Sequence, residues 1–354
     1  MALDAAAAYQ RDLYQAASHL AQLVGDVSSL RKTTWLVTGG TGQIGAACVD
    51  LLHALSQTES LKLNIVVAAH NERRFTQRFS DNVRRHLAFR PYEAAEGLDV
   101  SGVDFIIHAA GYGDPQSMVK DPVGILQVNI NGLGLILQSL EKRNSTRLVY
   151  ISSGESYGFC ESDPQGLRED QSGYVNTMET RSCYPTAKRA GESLCRSYFS
   201  QFGVKAIVAR QCHVFGPGFS KGDTRVAALF AKAAVEGKSI VMKSAGTQIR
   251  SWCYELDAAS ALIFLAFCGS PGEAYNIAPQ ETASIAELAS AFAKAGKVEV
   301  SFENPNEAEA ARFSKISRAV LSNNKLSKLG WTQAFIFADA IAGTISSLKN
   351  ASLR

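Results

Sequence analysis

The chain has 354 residues, 36 Lys and Arg against 33 Asp and Glu for a net charge of +3, with 46% hydrophobic and 19% charged residues. That is the composition of a soluble globule too long for one small core, and without a long basic run it argues against nucleic acid as the main partner. Seven scattered cysteines with no Cys-x-x-Cys argue against a disulfide framework and a metal site, and no apolar run approaches the ~20 residues that cross a bilayer, so a cytoplasmic protein with no membrane partner is expected.

Taken in order, Tyr9, Leu13, Ala17, Leu20 and Val24 recur at helical spacing, which predicts an amphipathic helix in residues 1–33 docked on the main body. An apolar strand follows at 34–38, then a glycine turn, a helix to about residue 55 and a β-branched strand at 64–67. Further strands are predicted at 103–107, 147–151 and 204–209, separated by helical stretches. Such alternation requires right-handed crossovers and a parallel sheet, whose ligands sit at the carboxyl ends of the strands. Beyond about residue 210 it fades into Gly/Pro-bearing loops with helices near 224–236, 256–268 and 284–294. The expected organisation is therefore a helical extension at 1–33, a dinucleotide-binding domain at 34–212 and a mainly substrate-binding lobe at 213–354.

The run from Val37 to Gly45, VTGGTGQIG, places Gly39, Gly42 and Gly45 three apart between a strand and a helix, with Gln43 and Ile44 inside the turn. Glycines let the backbone turn sharply and approach a pyrophosphate, whose charge the helix N-terminus meets. The fold class is accordingly α/β, a Rossmann-type doubly wound parallel sheet with a smaller C-terminal lobe. An acid at the tip of the second strand would hold the ribose of NAD, yet this chain reads His70, Asn71, Glu72, Arg73, Arg74 there. Arginine at that point suits the extra phosphate of NADP, and a solvated helix start explains it equally well, so NAD and NADP both stay open.

Tyr184 and Lys188 stand four apart, hence on one helix face. A phenol with a pKa near 10 is a poor base at neutral pH, and an adjacent cation favours its phenolate. Ser153, at a strand's carboxyl end, supplies a hydrogen bond to the same substrate oxygen. The three form a set for oxidising an alcohol while hydride passes to nicotinamide.

With these residues in place the chain resembles the extended short-chain dehydrogenase/reductase superfamily, the nucleotide-sugar epimerases, dehydratases and decarboxylases. The likeness runs from residue 34 to 331 through the glycine turn, His108-Ala109-Ala110, Asn129, the Ser153 strand end, Tyr184 and Lys188, 214–217 (VFGP), Arg250 and 329–331 (LGW). It implies a nucleoside-diphosphate sugar substrate oxidised transiently at C4 by bound NAD or NADP. Cofactor contacts are implied at the glycine turn, His70, Asn71, Arg73, Ala109, Ala110, Asn129, Tyr184 and Lys188. Dehydratases of the family carry Thr-Asp-Glu at the strand end, whereas this chain reads Ser153-Gly154-Glu155. The missing acid argues against standard dehydration, while Glu155 remains as a catalytic candidate.

The segment 174–189 is similar to the Val-Asn…Arg-x-Cys-Tyr…Lys-Arg run of UDP-glucuronate decarboxylases, which also use a glutamate at the Glu155 position and an arginine matching Arg250. Decarboxylation is thus favoured, with net ketoreduction of a 4-ketosugar or small carbonyl compound as the alternative and a non-enzymatic dinucleotide sensor disfavoured by the retained Ser153, Tyr184 and Lys188. Arg250, Arg225 and His213 are the implied substrate contacts. His108 is expected to shape the strand end, and Glu169 and Asp170 to lie on a solvated loop. The acid that touches adenine after the third strand is missing from 88–92 (AFRPY), which makes the adenosine half-site atypical. Members of the family pair through the helices after Asn129 and Tyr184, so a homodimer is expected, with Leu126, Leu133, Ile136, Leu194 and Tyr198 suited to the contact.

Overall fold

The computed structural model describes residues 3–111, 113, 115–143, 145–160, 163–305 and 316–351. Helix α1 (Leu3–Val24) leads to β1 (Thr34–Thr38), α2 (Gln43–Thr58), β2 (Asn64–Ala69), α3 (Glu72–Arg78), α4 (Asp81–Arg84), β3 (Leu87–Pro91) and β4 (Phe105–His108). Next come α5 (Pro115–Lys120), α6 (Pro122–Leu126), a π-helical turn at Gln127–Gly132, α7 (Leu133–Leu140), β5 (Arg147–Ser153), α8 (Cys183–Phe202) and β6 (Lys205–Gln211). The C-terminal part contributes β7 (His213–Phe215), α9 (Val226–Val235), β8 (Ile240–Met242), β9 (Ile249–Tyr254), α10 (Glu255–Cys268), β10 (Ala274–Ile277), β11 (Thr282–Ser284) and α11 (Ile285–Gly296). It closes with β12 (Val300–Phe302), β13 (Arg318–Ala319), and two helices here numbered α12 (Asn324–Leu329) and α13 (Phe337–Ala351).

Seven parallel strands form the central sheet in the order β3-β2-β1-β4-β5-β6-β10. The order reverses between β1 and β4, so the crevice above Thr38 and His108, paired in register, is the place where ligands bind in such sheets. Both faces are covered, which is why Trp35, Leu36 and Val37 are consecutive in sequence and all fully buried. On one face α2, α10 and α1 pack with Leu51, Leu52, Leu55 and Leu262; on the other Leu133, Ile136, Leu137 and Leu140 of α7 meet Leu148 and Tyr150 of β5.

The docked N-terminal helix is present. Leu13, Ala16, Ala17 and Leu20 are buried against α2, α10 and α13. Covering Leu13 and Leu20 stabilises the fold by roughly 1.5–3 kcal/mol each. In the C-terminal part β9 pairs with β7, β11 and β13, and this small sheet flanks the crevice.

Three features differ from the sequence reading. Strand β10 leaves the C-terminal part to become the seventh strand of the main sheet beside β6. Pro122–Leu140 is one 19-residue helical stretch apolar and long enough by composition to cross a membrane, although Gln127, Asn129 and Asn131 hide it from a scan for unbroken runs. Here its inward residues pack in the chain's own core and against α8. For the same reason Leu133 and Ile136 are fully buried and cannot serve a contact between subunits, whereas Leu126, Leu194 and Tyr198 keep partly open faces.

Candidate active site

The phosphate turn is shaped by close backbone approaches. Gly39 has φ +61°, and a Cβ there would lie 2.6 Å from the Ala109 carbonyl oxygen at the tip of β4. A Cβ on Gly45 would come 2.4 Å from the oxygen of Gly39. The Gly42 N–H donates to that same oxygen at 2.9 Å, and Gly42 then caps α2. The first amides of α2, which have no intrahelical acceptor, open at this turn and fit a pyrophosphate. Across the crevice Gly111, at φ +152°, leaves room beside the Oδ1 of buried Asn129, an atom with no hydrogen-bond partner among the described residues, and a Cβ on Gly111 would be 3.7 Å from Lys188 Nζ. Asn129 owes this orientation to the π turn, where its Nδ2 donates to the Ile125 carbonyl at 2.8 Å. Ala109 and Ala110 are fixed beside the turn through N–H bonds to the carbonyl and hydroxyl of Thr38. Gly39, Gly42, Gly45, Ala109, Ala110, Asn129 and Lys188 are thus brought together at one end of the sheet, with Gln43 and Ile44 at the start of α2 beside them.

At the adenosine end the sequence reading finds no acid, but the structure brings one. His70, exposed at the tip of β2, pairs through Nδ1 with Glu93, which lies just past the last residue of the 88–92 stretch. The side chain of Asn71 caps α3 instead, its Oδ1 accepting the N–H groups of Arg73 at 2.8 Å and Arg74 at 3.4 Å. Arg73 and Arg74 are exposed in the first turn of α3.

Ser153, Tyr184 and Lys188 converge at the ends of β5 and the start of α8. Lys188 is buried, donates to the Ile151 carbonyl at 2.8 Å, and lies over the rings of Tyr150 at 5.0 Å and Tyr184 at 5.6 Å. Burial lowers its pKa to about 7 despite the opposing charge of Glu192. Tyr184 is pushed up to about 12, first by burial and then by the Glu155 carboxylate, eased by hydrogen bonding to Ser153 and by Arg225 and Arg181. In the ligand-free chain desolvation therefore outweighs the cation that sequence spacing brings beside the phenol. His108 is fully buried, and its Nδ1 shares a 2.9 Å hydrogen bond with Thr38 Oγ1. Burial and then Lys188 bring it down to about 3, so it is neutral and shapes the strand end.

Glu155 stands next to this set. Its N–H donates to Ser153 Oγ at 3.1 Å, and its carboxylate receives both guanidinium prongs of Arg181 at 2.9 and 3.1 Å. Arg181 opens the Arg-x-Cys-Tyr motif, and only the fold brings it across 26 residues to Glu155. A Cβ on Gly154 would sit 3.3 Å from a Leu321 methyl, so the missing acid of the triplet is replaced by packing.

The implied substrate contacts divide. His213 and Arg225 border the crevice; His213 is exposed at its mouth, and its imidazole is lowered by loss of solvation around the ring and then by the charges of Arg250 and Arg225. Arg225 donates to Gln43 Oε1 at 2.6 Å and is held by Asp223. It therefore faces the phosphate turn. Arg250 is buried and turned to backbone carbonyls, bonding Ile249 at 2.9 Å and Ile316 at 2.8 Å. Asp170 is exposed, whereas Glu169 is no solvated loop residue: its Oε1 accepts the N–H of Asn276 in β10 at 2.8 Å.

Residues 35–278 match the NAD dependent epimerase/dehydratase family. The chain belongs to this family, which places it among the NAD-dependent enzymes that epimerise, dehydrate or decarboxylate nucleotide sugars. It is 33% identical over 260 residues to UDP-glucuronic acid decarboxylase 6 of Arabidopsis thaliana, covering 70% of this chain and 72% of that one. To UDP-glucuronic acid decarboxylase 1 of Xenopus tropicalis it is 32% identical over 235 residues, 65% of this chain and 52% of the relative, so it spans about half of that protein. Among solved structures, the UDP-glucose 4-epimerase of Thermotoga maritima superposes with a TM-score of 0.76 at 19% identity, covering 91% of this chain and all of that one, a likeness of fold.

Proposed function

We propose that this protein decarboxylates a nucleoside-diphosphate uronate, with UDP-glucuronate as the first candidate. The observation that carries the reading is the forked Arg181–Glu155 pair beside Ser153 and Tyr184, where Gly154 leaves no acid to protonate a departing oxygen. A guanidinium in that position suits a sugar carboxylate, which it can grip with two parallel bonds. The similarity to UDP-glucuronic acid decarboxylases supports the same choice.

The dinucleotide would lie along the phosphate turn and the Asn129–Lys188 side of the crevice, and when bound its nicotinamide supplies hydride acceptance and return. Tyr184 takes the proton of the C4 hydroxyl, with Ser153 hydrogen-bonded to the same oxygen. The resulting 4-keto group stands β to the carboxylate, so the bond from C5 to the carboxyl carbon can break, CO2 departs, and the bonding electrons are held as the enolate of that ketone. A proton added at C5 and the returned hydride at C4, with the Tyr184 proton going back to the oxygen, complete a pentose without net redox. Arg181 can transfer its fork from Glu155 to the sugar carboxylate, which orients it for that loss and leaves Glu155 near C5 as the proton carrier. Lys188 makes the phenolate accessible once bound ligands change the environment that now holds Tyr184 near 12.

The test is incubation with UDP-, dTDP-, GDP- and CDP-sugars and either NAD or NADP, with mass spectrometry of the products. UDP-glucuronate is expected to lose the mass of CO2 with no net consumption of cofactor. Loss of the mass of water would make the protein a dehydratase, and an unchanged mass at a new retention time an epimerase. Net oxidation of reduced nicotinamide would make it a ketoreductase; each of these three results overturns decarboxylation.

A further inference from the structure

A buried acid lies under the phosphate turn, where an anion is to be bound. Glu255, the first residue of α10, is 1% exposed. Its carboxylate accepts Gln43 Nε2 at 2.9 Å and the Gly218 N–H at 3.0 Å through both oxygens. The loop after β7 closes over it: a Cβ on Gly216 would fall 2.4 Å from the carboxyl group, and one on Gly218 2.8 Å from Oε2. At the other end of the same carboxamide, Gln43 Oε1 accepts Arg225, itself fixed by Asp223. Gln43 therefore sits at the start of α2 with both its donor and its acceptor engaged by residues from the C-terminal part.

A buried carboxylate is costly, and one beside an anion site also opposes its ligand, so packing alone does not account for an acid here. We infer that Glu255 is a positioning residue for dinucleotide binding: acting through Gln43 and the Gly218 amide, it locks the phosphate turn to the loop after β7, so that the N-terminal amides of α2 are held in one geometry. The sequence gives no hint of this, because Glu255 and Gln43 are 212 residues apart. The inference goes beyond the choice of sugar chemistry and stands on the dinucleotide turn alone.

The full chain is titrated with NAD by calorimetry as wild type, Glu255→Gln, Gln43→Ala and the double variant. Glu255→Gln preserves shape but supplies one oxygen where the acid has two: placed at Oε2 it still meets Gln43 and Gly218 but sets its NH2 against the Gly218 N–H, and placed at Oε1 it turns a donor on Gln43. It is expected to weaken NAD binding about tenfold, the scale of one lost buried hydrogen bond, with the unfolding midpoint of the ligand-free protein kept within a few degrees. Gln43→Ala is expected to weaken it similarly, and the double variant no further than either single one, because both changes break one lock. NAD affinity within twofold of wild type in Glu255→Gln, or losses that add in full, would overturn the inference. Should Glu255→Gln fail to fold, Gln43→Ala still decides against it by binding NAD as wild type does. The readout is dinucleotide affinity, so it is unaffected by which sugar product the assay above reveals.

Discussion

Lys188 is held where its solvation and its role conflict. Buried over two phenol rings with a single carbonyl acceptor, it has a pKa near 7 against 10.5 for an ordinary lysine. The folded value lies below the unfolded one, so between about pH 7 and 10.5 the unfolded chain binds the extra proton and Lys188 makes a contribution to stability that rises with pH, opposite in sign to that of the buried cysteines and tyrosines whose values are raised. Lys188→Met, similar in volume and uncharged, is expected to raise stability at pH 7 by ~1–3 kcal/mol and to remove that rise, while turnover falls by at least about 10²-fold. Urea unfolding at pH 7 and pH 9 with a parallel activity assay checks it; a variant less stable than wild type at pH 7, or with the same pH slope, would contradict the assignment. Motif spacing makes Ser153, Tyr184 and Lys188 legible in sequence because one helix face and one strand end define them. Arg181, Glu255 and Glu93 escape it, since each is given meaning by a partner that only tertiary structure supplies.

Elements buried on both faces of the sheet are the legible ones: β1, β2, β4, β5 and β6 are continuous apolar runs in sequence. Edge strand β3 carries Arg90 and Pro91 and is half-exposed, while the short β10 exists through its pairing with β6, so neither has a periodic signature. Turns are read less completely. The spacing of Gly39, Gly42 and Gly45 predicts the phosphate turn, but not which glycine is sterically indispensable. Gly45 would place a Cβ 2.4 Å from a backbone oxygen that has nowhere to move, whereas Gly134 on α7 has nothing within 4 Å. Gly45→Ala is therefore expected to destabilise the fold by ~1–3 kcal/mol and abolish detectable NAD binding. Gly134→Ala should instead stabilise it by ~0.5–1 kcal/mol, through the lower entropy of the unfolded chain. Denaturant unfolding of both variants distinguishes close approach from a general aversion to side chains: equal effects would refute the steric reading.

Across the whole molecule, burial perturbs acids and imidazoles in opposite senses. Asp12 on α1 and Asp257 and Glu255 on α10 are raised, the last two to about 7, chiefly by desolvation. His53, His108 and His213 are lowered, the last two to about 3 and about 4, again chiefly by desolvation. A raised acid keeps in the folded state a proton that the unfolded chain releases, so its contribution is present below about pH 4 and is lost as pH rises toward 7. A lowered histidine contributes above about pH 6.5 and loses that contribution as pH falls toward its folded value. Between about pH 4.5 and 6.5 the two acids raised to about 7 and the two histidines lowered to about 3 and 4 act against one another, so their contributions to the pH dependence of stability largely cancel. Asp257, which accepts the Ala334 N–H at 2.7 Å, is the member most easily neutralised without emptying space. Asp257→Asn leaves one histidine uncompensated, so stability should rise with pH by ~1–2 kcal/mol across that window, at up to ~1.4 kcal/mol per pH unit. Urea titrations at pH 4.5, 5.5 and 6.5 test the balance, and a variant whose curve runs parallel to that of the wild type would show that Asp257 is ionised in the folded protein throughout.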